Sequence, residues 1–523
     1  MLRNAELTIF EEKESISTTM KCCSYKSLIT LGSIFIVLGI ISIGIKDFIL
    51  DFVLKQNLVL SPHSSNYQIW KNLSLPLTNK MYLFNITNAE DVAKKGAKPN
   101  ITEVGPYIFK EYHTKIDEVW NDNGTVTYKQ INKWIPVSDN LDELVTIVNP
   151  PAATLGAKVK PFASAFNKSL EWAWWFGSAL ELKNEKLFVT KTAKEILFDG
   201  YNDPILDDGE WINSHAVKID GLMSKFGFFF ARNNTWYGNG IINMYTGEHG
   251  LSQMGNVAAF NYSTRSTFYP GECGKYHGSP ELTPPYLFDR PKQYIFHNDL
   301  GRTLELNLTD RHSYIKGTAG YEYKIDNLFF ANSTFNPKNK CFEHDHPLPN
   351  GVFDASPTRY GAPVFISQPH FYQADPYYTN LIATGSLKPN HKLHETSVVF
   401  EPVSGIAMKV SARFQINFKL NRIKELFLFE NLPETTYLPT VWFEEHIELP
   451  QELLTKLWFL GYFRTFIIIA GGLMIITGMI FILCGLLKYR TINYNPIPDN
   501  ETVAEKSQLC YDVENIVEEN DEN

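Results

Sequence analysis

Two long runs without a charge, one near each end, limit what this chain can fold into more than any other feature. Leu28–Ile45 reads LITLGSIFIVLGIISIGI and Thr465–Leu487 reads TFIIIAGGLMIITGMIFILCGLL. As helices, both are long enough to cross about 30 Å of hydrocarbon, and a core helix needs no run so continuous. The first is not read as a signal peptide: its lead-in carries Glu6, Glu11, Glu12 and Glu14, and no cleavage region of small residues follows it. Two uncleaved anchors divide the chain into a tail (1–27), a span (28–45), a luminal or extracellular part (46–464), a second span (465–487) and a second tail (488–523).

The sequons decide which side is which, because lysines flank the first span on both sides (Lys21 and Lys26 before it, Lys46 and Lys55 after it). Asn72, Asn85, Asn100, Asn123, Asn167, Asn233, Asn261, Asn307 and Asn332 all lie between the spans, which points to the secretory lumen and to N-glycosylation there. Asn500 also fits the pattern but falls in the tail. Only Cys273 and Cys341 lie in the luminal part, an even count that permits one disulfide. Cys22 and Cys23, beside the first span, are candidates for S-palmitoylation. The formal charge of −9 comes with no concentrated basic stripe, which argues against nucleic acid as a partner.

Within the luminal part, Ser397–Leu420 stands out. From Ile406 every second residue is apolar (Ile406, Met408, Val410, Ala412, Phe414, Ile416, Phe418), and Lys409, Ser411, Arg413, Gln415 and Asn417 lie among the residues between. This predicts one strand of roughly 43 Å with an apolar and a wet face, preceded by a hairpin turn at Pro402–Gly405. The strand alone suits either a sheet over a filled core or the wall of a barrel around an apolar passage. Upstream, Lys46–Leu60 predicts a helix leading out of the membrane, Met81–Ile86 a strand, Asn88–Asp91 a helix start, and Glu118–Tyr128 a hairpin turning at Asp122-Asn123-Gly124. Gly105-Pro106 reads as a break before the next strand.

Several stretches together resemble the class B scavenger receptor family. They are FNITNAEDV, KPNITEVGPYIFKEY, LFDGYNDPIL (197–206), FGFFFARNNT (226–235), PHFYQAD (369–375), Pro389-Asn390, His394-Glu395-Thr396, RFQIN (413–417) and PTVWFE (439–444). The resemblance covers nearly all of the luminal part and the two-span plan. It implies an α+β membrane protein: a large antiparallel β-barrel with inserted short helices, topped by a helical bundle at about 152–200 and pierced by a hydrophobic tunnel. Ile406, Met408, Val410, Phe414, Ile416 and Phe418 would then line the tunnel wall. Relatives usually carry a cysteine before Arg-Ser where this chain reads DLGRTL (299–304). With further cysteines near Cys341 also missing, Cys273–Cys341 is the one bridge that remains.

Val159–Leu182 places Val159, Phe162, Phe166, Leu170, Ala173, Phe176 and Leu180 on one helical face, with Trp172, Trp174 and Trp175 beside it. The same residues suit a buried central helix. The resemblance makes this the apical bundle where lipids, lipoproteins or phospholipid particles dock. Fatty acids, sterols and carotenoids are the implied cargo, and Lys183 or Lys186 would hold an anionic head. Escort of a luminal protein, as in the lysosomal branch, is the alternative, and homo-oligomerisation is left open.

No enzyme, cofactor or metal site is expected. Glu343–His346 sits beside Pro347 and Pro349 in a loop, and His391–Glu395 lacks the HExxH order. Past the second span, Tyr494 to Ile497 resembles a tyrosine-based sorting signal, which leaves plasma membrane and endosome-lysosome both open. The acidic tail beyond it is read as solvated.

Overall fold

The computed structural model describes residues 24–73, 75–164, 185–215, 221–343 and 347–494. It divides into two compact units: Leu54–Gly461, and the two ends of the chain up to Val53 and from Tyr462.

In the unit formed by the ends, helices Tyr25–Gly44 and Phe463–Tyr494 are long and apolar enough to span a membrane. They run antiparallel. A seven-residue glycine spacing on both, Gly32 and Gly39 against Gly471, Gly478 and Gly485, brings their backbones together. A Cβ at Gly39 would lie 2.6 Å from the Gly471 carbonyl, and one at Gly32 2.6 Å from that of Gly478. Between lipid chains no hydrophobic gain distinguishes helix from lipid, so such close packing is what joins the spans. As expected, Lys46–Leu58 continues as a helix.

The large unit is built on a nearly closed antiparallel barrel. Its first strands are β1 (Leu77–Ile86), β2 (Ile101–Asn121) and β3 (Thr125–Pro136), followed by a separate hairpin of β4 (Leu144–Val148) and β5 (Phe188–Thr192). Next come β6 (Ile241–Tyr245), β7 (Val257–Phe260), β8 (Lys292–His297), β9 (Arg302–Ile315) and β10 (Thr318–Ile325). Last are β11 (Val352–Asp354), β12 (Val364–Ser367), β13 (Ser397–Phe400), β14 (Ala407–Asn421) and β15 (Thr435–Glu448). The sheet runs β7-β6-β3-β2-β1-β15-β14-β13-β10-β9-β8, and β12 adds to β14 beyond the end of β13. Its edge strands β7 and β8 meet through side chains: the Phe260 and Phe296 rings lie 5.3 Å apart. The Cys273–Cys341 disulfide is formed, with a Cα–Cα distance of 5.9 Å. Closing a loop with a sequence separation of 68 stabilises by about 4 kcal/mol in the chain-entropy model.

The hairpin before β14, the strand at Met81–Ile86, the helix Ala89–Lys95 and the turn at Asp122–Gly124 all form where the sequence places them. Three expectations need correction. The strand β2 passes through Gly105-Pro106 without ending, because the register against β1 shifts there and the proline, which has no N–H, needs no ladder partner. The wet face of β14 is covered: Ser411, Gln415 and Asn417 are buried, and the segment after β12 folds back over part of that face, where the His370 N–H meets Gln415. The range expected to be a helical bundle also contains β5, where β-branched Val189, Thr190 and Thr192 favour a strand.

Gly39→Leu should part the spans. With cysteines replacing Phe35 and Phe481, whose rings lie 5.9 Å apart, oxidative cross-linking should fall roughly tenfold, the factor that about 1.4 kcal/mol represents. Gly472→Leu should leave it unchanged, because nothing lies within 4 Å of a Cβ there.

Candidate functional site

Strand parity places two sets of side chains on opposite faces of the β1-β15-β14 ladder. On one face the register aligns Met81, Phe443 and Phe414 in one row and Asn79, Glu445 and Ala412 in the next. Rings gather around the first row. Phe443 lies 6.3 Å from Phe414 and 6.4 Å from Phe229, Phe229 stacks at 5.4 Å on Phe198, and Phe198 meets Phe109 at 4.6 Å. Trp134 joins at 5.8 Å from Phe229, and His297 stands edge-on to Phe414 at 5.6 Å.

The second row is polar. The Glu111 carboxylate is buried and fully engaged: Asn79 donates to it, Asn132 Nδ2 donates at 2.8 Å, and His113 Nε2 lies 2.9 Å away. Asp299 pairs with Arg232 at 3.1 Å and with Arg359 at 3.3 Å. Burial alone would raise the Asp299 carboxyl, but the two guanidinium groups outweigh it and hold the group well below the usual carboxylate range. Glu445 differs from both, because it has no hydrogen bond or ion pair with the described residues. Burial, reinforced by the charges of Glu111 and Asp299, pushes its carboxyl up to about 8, so it is a neutral acid at pH 7.

Both Glu445 and Asp299 are enclosed by protein yet keep accessible surface, 26% for the Asp299 side chain. Two polar atoms near them, Arg232 Nε and His297 Nδ1, are fully buried without a partner. The interior is thus not uniformly apolar, as the alternation of β14 alone suggests.

The opposite face carries a tight cluster. His370 and His394 stack with centroids 4.4 Å apart and planes 6° from parallel. His370 Nδ1 accepts from the Lys388 N–H, so its Nε2 donates to Glu103 at 2.6 Å. The Trp442 indole donates to the same carboxylate at 2.7 Å, and Trp442 stacks on Tyr82 at 4.0 Å. Gln415 accepts from the His370 N–H at 2.7 Å.

The structure places the sequence-selected residues unevenly. Phe414 and Ile416 belong to the ring-lined interior, and Val410 is half-buried on the same parity. Met408 packs against helix Gln451–Gly461 through Leu454 and Leu457. Phe418 joins the core around Leu426 and Phe429, and Ile406 lies before the strand, 38% exposed. The strand is long enough for its ends to pass beyond the central rows. Phe162 lies on helix Pro150–Ser164, and Lys186 is exposed ahead of β5. Phe166, Trp172, Trp174, Trp175, Phe176, Lys183, Asn167, Cys22, Cys23 and Ile497 lie outside the described residues. Tyr494 ends the second span helix, exposed. Of the sequons, Asn72, Asn100, Asn123, Asn233 and Asn261 are exposed, and Asn85, Asn307 and Asn332 half-buried. Among the described residues, no group of three or more His, Cys, Asp or Glu could hold a metal. Glu343 instead accepts from Ser333.

Glu445 and Glu111 escaped the sequence reading although a signal was present. Glu445 shares parity with Val441, Phe443 and Ile447, and Glu111 with Tyr107 and Phe109. A charge on the apolar parity of a strand marks a polar interior layer.

The His394 ring supplies a test of the outer cluster. Burial and then the neighbouring His370 hold it down to about 4, below its ordinary 6.5. The unfolded chain therefore binds the extra proton first. The contribution of His394 to stability is complete above pH 6.5 and is lost as pH falls towards 4, costing roughly 2 kcal/mol by pH 5. Melting of the full chain in detergent at pH 7.5 and pH 5 should show this loss, and His394→Phe, which keeps the stacking, should lessen it.

The family model described as CD36 family matches residues 30–489. Protein peste of Drosophila melanogaster is 31% identical over 435 residues, covering 80% of this chain and 75% of that protein. Scavenger receptor class B member 1 of Mus musculus is 27% identical over 79% of each chain. Lysosome membrane protein 2 of Homo sapiens is 27% identical over 84% of this chain and 88% of that one.

Proposed function

This chain belongs to the CD36 family, that of the class B scavenger receptors, and from that premise we propose that it is a two-pass glycoprotein receptor for lipids, lipoproteins or lipid-bearing particles. Cargo docks on the segment 159–186, to which Phe162, Phe166, Trp172, Trp174, Trp175 and Phe176 bring apolar side chains and Lys183 or Lys186 a cation for an anionic head. It then moves down its chemical potential through the interior of the barrel to the bilayer. The observation that carries this reading is the ring-lined inner face of β1, β15 and β14 beside enclosed residues that remain accessible. Apolar walls with a few polar groups suit amphiphilic or oily cargo.

Ala412 sits in the row of Glu445, next to the Phe414 row, and has a small side chain. Ala412→Trp should abolish most uptake of a fluorescent lipid by cells expressing the full chain at unchanged surface level. Lys409→Trp, on the opposite parity and half-exposed, should leave uptake intact. Undiminished uptake with Ala412→Trp would sink the passage.

The likeness to Lysosome membrane protein 2 favours a second reading, a docking receptor in the endosome-lysosome that escorts a luminal protein. Capture of a luminal protein that is lost on replacing 159–194 would select it.

A further inference from the structure

Among the described residues, one acid of the barrel strands, Glu445, is not used by the fold. Glu111 spends its oxygens on Asn79, Asn132 and His113, and Asp299 spends its own on Arg232 and Arg359. Glu445, between Asn79 and Ala412 in the same row, has no hydrogen-bonding partner among the described residues and keeps accessible surface. A buried polar group left without a partner is costly, and natural proteins rarely keep one that neither water nor a ligand satisfies. Arg232 Nε and His297 Nδ1 nearby are also unmet.

Two residues along the strand from Glu445, the Phe443 ring opens the aromatic belt that runs through Phe414 and Phe229. One end of this site is polar and the other oily. We propose that Glu445 is the head-group station of the passage: it holds an amphiphile whose head is a neutral hydroxyl, with the hydrocarbon lying along Phe443, Phe414 and Phe229. This rests on the interior being a lipid passage and adds which head group is read there.

Charge decides the head group. The groups that act on Glu445 are Glu111, Asp299 and Arg232. Arg232 and Arg359 are both committed to Asp299, so an incoming carboxylate would be enclosed beside two carboxylates with no uncommitted cation among these groups. A hydroxyl brings no charge. It can accept from the Glu445 acid and donate to the same carboxyl's other oxygen, and the raised proton affinity of Glu445 keeps that donor in place at pH 7.

The test uses the full chain in detergent and two probes of equal length, a diazirine-bearing C16 alcohol and the matching C16 acid. After photolysis, peptides from β15 and β2 are read by mass spectrometry. The alcohol should label them several-fold more than the acid. Glu445→Leu should remove most alcohol labelling without changing acid labelling, and Glu445→Gln, which keeps a neutral donor and an acceptor, should retain it. Because Glu445→Leu could impair folding, competition by unlabelled 1-hexadecanol against palmitate on the unaltered chain provides a second measurement. Equal labelling by both probes, or alcohol labelling unmoved by Glu445→Leu in folded protein, overturns the head-group station and leaves the passage standing. No interior labelling by either probe overturns both.

Discussion

The Glu103 carboxylate accepts at once from the Trp442 indole and the His370 imidazole, and the wall of the barrel depends on that double contact. It ties β2 to β15 and to the loop that packs on β14, across chain separations of several hundred residues. Apolar packing of Met81, Phe414 and Val441 on the inner face does not by itself fix one register, and directional contacts on the outer face do. There the side chains are buried, directional and nearly all satisfied: His370 on Glu103, Gln415 on the His370 N–H, Asn417 on Ser367, Arg413 on Glu444 at 3.0 Å. Networks of this kind fix one geometry because a slip leaves several buried groups unpaired at once.

The same cluster explains why scattered fragments of sequence carry the family resemblance. Glu103 comes from KPNITEVGPY, His370 from PHFYQAD, His394 from His394-Glu395-Thr396, Gln415 from RFQIN and Trp442 from PTVWFE. Far apart in the chain, they are one contact set in space. At Gly301 the chain passes close to a distant segment: a Cβ there would lie 3.2 Å from the Phe268 ring and 3.3 Å from Thr358 Cγ2. Beside that approach, Asp299 and Arg359 join the two segments by an ion pair. An ion pair links the folded segments but does not restrict the unfolded chain as a disulfide does. It also places formal charges in the interior, which a disulfide would not.

The spans, the long strand, its hairpin and the turn at Asn123 were legible because each is a local pattern: an uncharged run, a period of two, an Asp-Asn-Gly turn. Burial of Gln415 and Asn417 was not, since it depends on which segment covers that face, and His370, after β12, lies 45 residues before Gln415 in the chain. The period of two says that faces differ without saying that both are covered. Continuation of β2 through Gly105-Pro106 was hidden for a related reason. A proline breaks a ladder only where a partner awaits its N–H, and the shifted register removes that demand. Of the candidate site, the apolar half could be read from Phe414 and Ile416. The polar half rests on Glu111, Asp299, Arg232 and Glu445, which come from four separate segments.

On the proposed reading, the succession Val441, Phe443, Glu445, Ile447 along β15 has a consequence for how cargo moves. A passage oily from end to end would hold an apolar molecule deeply, and release would become the slow step. A polar layer set into the aromatic wall interrupts that well, so a migrating chain meets sites of differing character in turn. Movement down a gradient needs binding strong enough to admit the cargo and weak enough to let it go. Since the two arginines on Asp299 are balanced by the carboxylates of Asp299 and Glu111, and burial favours the neutral acid at Glu445, the layer achieves this with hydrogen-bonding groups rather than a net charge, and hydrocarbon can pass them without stripping an unpaired ion of its partners.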